Sequence, residues 1–204
     1  MAYTAPEAML AKLAAITTLI GNAEPIEEQF DPQPAFLATL PDGELYIDSA
    51  LELDTDGWDG PADGLDEDHQ DETSLLYSDG GSINANAVPF FVLPELWFAA
   101  YGIGLGDYGA VLYGSEIAFA VFADEGPVGK IGEGSIELFR RLGQERILDN
   151  GHVWDTGMEP PVVTIVFPGS GKGSGHFADE AQLIADLEAV GRQRFLALGG
   201  LPDA

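Results

Sequence analysis

Two acidic residues, Asp124 and Glu133, stand nine positions apart on either side of a segment with three glycines and a proline. Asp124 follows the apolar run EIAFAVFA, which is typical of a β-strand, at the point where the chain is expected to leave the sheet. The glycines would let the chain fold back and bring Glu133 close to Asp124. Two carboxylates across a cleft can cleave a glycosidic bond: one protonates the leaving oxygen, and the other activates water or attacks the anomeric carbon. The alternative is two solvated loop acids in a very acidic protein.

A second acidic group follows the predicted strand ELYIDSALELD, in the loop TDGWDGPADGLDEDHQDE. Asp54 and Asp56 match the first and third positions of an EF-hand calcium loop. The fifth position needs an oxygen ligand and holds Trp58, and the sixth needs glycine and holds Asp59. Three interpretations stay open: a solvated loop, a carboxylate surface that faces a substrate, and a cation site of another kind.

Other catalytic motifs fail on spacing. The segment PGSGKGSGH resembles a phosphate-binding loop, but Val166 stands where the first glycine is required and Gly173 where Ser or Thr is required. No serine has glycine two residues away on both sides, as a hydrolase elbow requires. The chain has no cysteine, and its histidines, His69, His152 and His176, lack zinc-type spacing. The sequence therefore predicts no cofactor and assigns no metal ligands, while the acidic loop leaves a cation site open.

The charge balance limits the class of partner. Eight basic residues against 35 acidic ones give a formal net charge of −27. Such a surface repels phosphate backbones and anionic lipids, which argues against nucleic-acid and membrane partners. General solubility, adaptation to salt and a cationic partner are each compatible with this charge.

The elements that must position these residues are mainly strands. The best hairpin signal is YGAVLY and EIAFAVFA, joined by the two-residue turn Gly114-Ser115. Further strands are predicted in SLLYSDGGSINANAVPFFVLP, on both sides of its Gly-Gly turn, and in PVVTIVFPGSG. Helices are predicted at the two ends, within residues 1–25 and 177–199. This order indicates a single domain, mainly β, with a β-barrel and flanking α-helices.

The N-terminal segment has two interpretations, a helix and a signal peptide. It lacks a basic first region and carries Glu7 where positive charge is expected. An amphipathic helix with Thr4 as its cap is therefore predicted, and its apolar residues have helical spacing: Met9, Leu10, Leu13, Ile16, Leu19 and Ile20. The sequence alone leaves the compartment open.

Several segments, taken together, carry a family resemblance. In chain order they are DTDG (54–57), ETS (72–74), INANAVPFFVLP (83–94), the strand ending in Asp124 with its loop and IGEGS (131–135), and TIVFPGSG (164–171). The chain from about residue 46 to 171 thereby resembles the fungal-type chitosanases of glycoside hydrolase family 75. Several motifs in order are far more specific than one. Ala123 departs from the family, which usually has glycine before the aspartate.

The resemblance implies an endo-acting chitosanase that hydrolyses β-1,4 bonds between glucosamine units by inversion, with Asp124 and Glu133 as the essential acids. Glutamate has the higher ordinary pKa, so the general acid is assigned to Glu133 and the base to Asp124. Lys130 would lower the pKa of whichever acid it faces. A likeness to the lytic transglycosylases suggests a double-psi form of the barrel.

The resemblance also implies a cationic polysaccharide as partner, because chitosan is a polyamine. The residues assigned to substrate binding are Asp54, Asp56, Thr73, Asn84 and Lys130, with the two aspartates as ammonium ligands. A polymer substrate would imply secretion or a periplasmic location. Two rival functions are a peptidoglycan glycan-cleaving enzyme and a non-catalytic acidic module that binds carbohydrate or cations.

Overall fold

The computed structural model describes residues 6–60, 69–147, 152–153 and 157–204. The chain begins with two short helices, α1 (Glu7–Leu13) and α2 (Ile16–Ile20), and ends with the long helix α4 (Glu180–Ala197). Between them lie the strands β1 (Glu24–Pro25), β2 (Phe36–Thr39), β3 (Leu45–Asp54), β4 (Phe90–Pro94), β5 (Tyr108–Tyr113), β6 (Glu116–Gly126), β7 (Glu133–Ser135) and β8 (Gly157–Phe167). Helix α3 (Ile136–Arg141) follows β7, and a 3₁₀ turn spans Phe98–Tyr101.

Six strands form a closed barrel in the order β3-β7-β4-β6-β5-β8, and β8 returns to pair with β3. The pairs β3–β7 and β4–β6 are parallel, and the other pairs in the ring are antiparallel. Closure leaves no unpaired edge in the ring, while β2 and β1 add to the outside of β3. The mainly β barrel with flanking helices that the sequence predicts is confirmed, and the two parallel pairs are compatible with its double-psi form.

Strand alternation divides the apolar residues between the two faces of the barrel wall. Along β6, Phe119 and Val121 belong to a cluster that α4 also joins, whereas Phe122 belongs to the other cluster. Helix α4 packs against the first cluster, whereas Leu138 and Phe139 of α3 belong to the second, so each face of the wall is covered by a different helix. Gly191 of α4 lies against Phe119, where a Cβ would come within 3.0 Å of the ring.

The predicted N-terminal helix is wrong in one respect, because it is two helices rather than one. The break is at Ala14, whose φ of 44° is not helical. Ala15 next to it packs against the end of α4: its N–H donates to the Gly199 carbonyl at 3.3 Å. The apolar spacing continues across the break and so could not reveal it. Thr4 lies outside the described residues.

The predicted hairpin is confirmed, with Gly114 and Ser115 between β5 and β6. The strand predicted in SLLYSD is wrong, since only a single bridge, between Leu76 and Ser82, forms there. The other predicted strands form as β3, β4 and β8. Among the described residues, no helix has both the length and the apolar character needed to cross a membrane.

Candidate active site

Asp124 and Glu133 lie on the two strands that flank β4. Val92 of β4 pairs with Asp124 of β6 on one side and with Glu133 of β7 on the other. Directly paired residues project from the same face of a sheet, so both acids lie on one face of the barrel wall, the face of Val92. Two strand spacings put their Cα atoms about 10 Å apart. The sequence places Asp124 at the end of its strand, but β6 continues to Gly126, which corrects that expectation.

A β-bulge sets the direction of Asp124. The β4–β6 register pairs Phe91 with Phe122 and then Val92 with Asp124, so Ala123 is the extra residue. Without the bulge, Val92 would pair with Ala123 and Asp124 would project from the opposite face of the barrel wall. The Ala123 carbonyl accepts a hydrogen bond from the Leu75 N–H at 2.8 Å. The bulge therefore turns the carboxylate of Asp124 toward the side where Glu133 lies.

Ser74 fixes the orientation of Asp124. Its N–H and its hydroxyl both donate to Asp124 Oδ1, at 2.8 and 2.5 Å, and the N–H of Glu125 donates to the same oxygen at 3.0 Å. Oδ1 thus accepts three hydrogen bonds. Oδ2 is therefore the oxygen on which Asp124 can carry a proton. The sequence did not single out Ser74, although it lies in the ETS motif, because its partner is 50 residues away.

Buried Thr73 stabilises the backbone of the segment that carries Ser74. Its side chain is buried, its hydroxyl donates to the Leu75 carbonyl at 2.9 Å, and it accepts from the Ile83 N–H at 2.9 Å. The hydroxyl of Ser174 accepts from the Leu76 N–H at 2.7 Å. These bonds hold the segment that carries Ser74. Direct contact of Thr73 with substrate stays a prediction.

The PGSG segment, which resembled a phosphate-binding loop, has a structural role. The carboxylate of Asp107 accepts hydrogen bonds from the N–H groups of Gly104, Gly169 and Gly171, at 2.8 to 3.0 Å. Gly171 is required there, because a Cβ would lie 1.7 Å from the Gly106 carbonyl oxygen. The glycines of this motif therefore wrap a buried aspartate.

Glu133 is paired with Lys130. The ammonium of Lys130 lies 2.7 Å from Glu133 Oε1 and 3.0 Å from Glu52 Oε2. Burial would lower the pKa of Lys130, but hydrogen bonds and charge from Glu133 and Glu52 raise it well above its ordinary value. By the same interaction the ammonium favours the ionised form of Glu133. A Cβ at Gly126 would lie 2.8 Å from Glu133 Oε2, so this glycine leaves room for the carboxylate.

Three carboxylates converge on the other side of the site. Asp54, Asp56 and Asp124 each offer an oxygen within 4.8 Å of the others, and the residues are only 8%, 6% and 6% exposed. Two unit charges 4.8 Å apart repel by about 3 kcal/mol at an effective dielectric constant of about 20. Three full charges are therefore unfavourable together, and the group could hold either a cation or a shared proton.

Asp56 is at the centre of this group. The N–H of Asp56 donates to Asp54 Oδ1 at 2.7 Å, and Asp56 Oδ1 accepts from the Gln70 N–H at 2.6 Å. Burial, the charge of Asp54, and a hydrogen bond and charge from Asp124 raise the pKa of Asp56 to about 9, against the opposing effect of Gln70. These neighbours thus favour the protonated form of Asp56. Ammonium binding by Asp54 and Asp56 stays a prediction, and their burial favours a role behind Asp124.

The remaining predicted residues are placed as follows. Asn84 is half-buried, and its Oδ1 accepts from the Asn86 N–H at 2.8 Å in a turn. His69 Nδ1 lies 2.9 Å from the Thr55 hydroxyl, at the rim of the aspartate group. Trp58 is buried, while Trp154 lies outside the described residues.

Comparison with protein families identifies the family of this chain. The family model described as fungal chitosanase of glycosyl hydrolase group 75 matches residues 51–193. The matched region contains both proposed catalytic acids, the aspartate group and Lys130. A comparison with curated proteins gave no match.

Proposed function

The chain belongs to glycoside hydrolase family 75, the fungal chitosanase family, and from this premise we propose that it is an endo-acting enzyme that hydrolyses β-1,4 bonds between glucosamine units with inversion. Membership makes the protein a glycoside hydrolase with a polysaccharide substrate. The observation that carries the finer proposal is the pair Asp124 and Glu133, on one face of the barrel and separated by a single strand.

The separation of the two acids favours inversion. Inverting glycosidases hold their carboxyl groups about 6.5–9.5 Å apart to admit a water molecule, and retaining ones about 5–5.5 Å apart. With Cα atoms about 10 Å apart, parallel side chains from Asp124 and Glu133 leave space for water. Lys130 draws the Glu133 carboxylate to one side, and Ser74 holds that of Asp124.

The environments of the two acids suggest their roles. The base must be ionised, and an ammonium 2.7 Å away favours that form of Glu133. The acid must receive a proton, and the buried carboxyl of Asp56 lies beside Asp124 and can supply one, because burial and neighbouring charge raise its pKa to about 9. We therefore assign the base to Glu133 and the acid to Asp124. This reverses the assignment from ordinary pKa values, because Lys130 and Asp56 outweigh the small intrinsic difference.

The charge of the protein suits a polyamine. Each protonated glucosamine offers an ammonium group to carboxylates, and the net charge of −27 attracts such a chain toward the protein. Glu52 pairs with Glu133 across β3 and β7, and 44% of its side chain is exposed. It is the carboxylate beside the catalytic pair best placed to receive an ammonium group. The anionic glycan of bacterial walls would be repelled, which disfavours the peptidoglycan alternative.

Hydrolysis of chitosan tests the proposal directly. We expect the purified protein to lower the viscosity of a chitosan solution before many reducing ends appear, as internal cleavage does, and to spare chitin and cellulose. Proton NMR of the first products should show the α-anomer if the β-bond is cleaved with inversion. The variant with both Asp124→Asn and Glu133→Gln controls for contaminating enzymes. Cleavage of peptidoglycan but not chitosan would contradict the proposed substrate, and a β-anomer the proposed stereochemistry.

Replacing Lys130 by methionine should shift the acid limb of kcat/KM to higher pH by about one unit or more. Without the ammonium, Glu133 binds a proton more readily, so the base is lost at a higher pH. The measurement uses a soluble glucosamine oligosaccharide from pH 3 to 8. Lys172→Met is the matched control, because Lys172 pairs with Asp186 on α4. An acid limb that stays in place or moves down in Lys130→Met would contradict the base role of Glu133.

A further inference from the structure

The aspartate group places a second carboxyl directly behind the proposed general acid. Asp124 comes from β6, while Asp54 ends β3 and Asp56 begins the loop after it. The three residues are more than nine-tenths buried, and each offers a carboxylate oxygen within 4.8 Å of the others. Buried carboxylates this close repel one another unless one of them carries a proton or a cation lies between them. The geometry therefore favours a proton shared between Asp56 and Asp124 whenever the site holds no cation.

We propose that Asp56 and Asp124 share one proton at neutral pH, with Asp56 as its resting holder, and that Asp56 thereby supplies and orients the general acid. This rests on the proposed role of Asp124. Asp56 is a positioning residue, since it lies behind Asp124 and does not contact the sugar.

The proton balance follows from the two environments. The O–H bond of Asp56 breaks as Asp124 Oδ2 gains the proton, and Asp124 then gives it to the leaving glycosidic oxygen. Glu133 takes a proton from the attacking water, the water oxygen bonds to the anomeric carbon, and the bond between that carbon and the leaving oxygen breaks. Afterwards Glu133 releases its proton to solvent, and the Asp56–Asp124 pair takes one up. Ser74 holds Asp124 Oδ1 as an acceptor throughout, so that the proton travels through Oδ2.

The groups facing Asp56 explain why it holds the proton. Asp54 is hydrogen-bonded to the N–H of Asp56, and Asp124 lies opposite; both add negative charge. His69 approaches from the loop, with Nδ1 4.0 Å from Asp56 Oδ1, and Gln70 donates its N–H to the same oxygen. Proton uptake by His69 would favour ionised Asp56, so the test below is repeated in a His69→Gln background.

The stability of Asp56→Asn against pH tests the shared proton without substrate. The pKa of Asp56 rises from 3.8 to about 9 on folding, so the stability it contributes is full below about pH 4 and is lost as pH rises through about 9. Asparagine does not titrate. The Tm of Asp56→Asn minus that of wild type should therefore increase between pH 4 and 9, by at least about 4 °C, and then level off. Asp59→Asn, an exposed aspartate of the same loop, should give a constant difference.

Two outcomes of the thermal test would overturn the proposal. One is a Tm difference for Asp56→Asn that is constant with pH, in either background. The other is a wild-type Tm that rises with calcium or magnesium chloride and falls with chelator, while that of Asp56→Asn does not. That second result would assign the three aspartates to a cation instead of a proton.

Activity on a soluble glucosamine oligosaccharide provides the second readout. Asp56→Ala should lower kcat at least about tenfold, because the acid loses both its proton source and its hydrogen bond. Asp56→Asn keeps the hydrogen bond but cannot supply the proton, so its alkaline limb should move to lower pH. We expect the wild-type to Asp56→Asn ratio of kcat to increase about tenfold between pH 5 and 8. An equal ratio at every pH would show a purely structural role. A wild type inactive on chitosan would refute the proposed function and leave the thermal test valid.

Discussion

Glu133→Gln should lower kcat on glucosamine oligosaccharides by about 10²–10⁴, the usual contribution of a general base. Glutamine has nearly the shape of glutamate and can still bind in the space above Gly126, but it cannot accept a proton from water. The Tm should change by only a few degrees, because the lost partner of Lys130 is near the surface and Glu52 remains beside the ammonium. Steady-state kinetics and a thermal melt check both parts.

Glu52→Gln is the matched control for this prediction. It makes the same chemical change on the same ammonium, one strand away from Glu133. As an ammonium ligand, Glu52 should mainly affect KM, and the increase should diminish with added salt, which screens the charge pair. If Glu133→Gln kept more than roughly a third of the wild-type kcat, Glu133 would not be the base.

Local features of this chain could be predicted from sequence, and non-local ones could not. The hairpin of β5 and β6 depends on a two-residue turn and the two strands beside it, so its whole pattern lies within residues 108–126. The bulge at Ala123 depends on pairing with β4, about 30 residues earlier, and leaves no periodic signal. For the same reason, sequence predicted that the two acids approach each other but not that both lie on strands.

The aspartate group shows the same limit more clearly. The acidity of the loop after β3 was visible in the sequence, and it suggested contact with an ammonium group on the substrate. Its proximity to Asp124 results from the parallel pair β3–β7 and from β4 between β7 and β6. No spacing along the chain encodes that order. For the same reason, the sequence could not show which acid Lys130 faces. The observed pairing with Glu133 changes which acid we assign as the base.

The two proposed catalytic acids differ because the barrel gives them different neighbours. Glu133 has a cation within hydrogen-bond distance, whereas Asp124 lies beside the carboxyl of Asp56. An acid–base pair requires that one carboxyl group have a source of protons while the other stays ionised. The fold thus gives the two acids different proposed roles through the groups that lie beside each of them. The intrinsic difference between an aspartate and a glutamate carboxyl is a smaller effect.

Asp124→Asn should lower kcat on glucosamine oligosaccharides by about 10²–10⁴, and a good leaving group should recover most of that loss. Asparagine can keep the hydrogen bonds from Ser74 and Glu125 to its side-chain oxygen, so the site should stay folded. It cannot protonate the glycosidic oxygen, which a natural sugar leaving group requires. A 2,4-dinitrophenyl glycoside of the same oligosaccharide departs without protonation, so the defect there should fall to about tenfold or less.

Glu133→Gln is the matched comparison, because a base is needed to activate water whatever the leaving group. Its defect should remain about 10²–10⁴ on the dinitrophenyl substrate as well. The ratio of the two defects, measured for both variants on both substrates, therefore assigns the roles without any pKa. Recovery of Glu133→Gln and not of Asp124→Asn would make Glu133 the acid, and it would mean that substrate binding displaces Lys130 before the bond is cleaved.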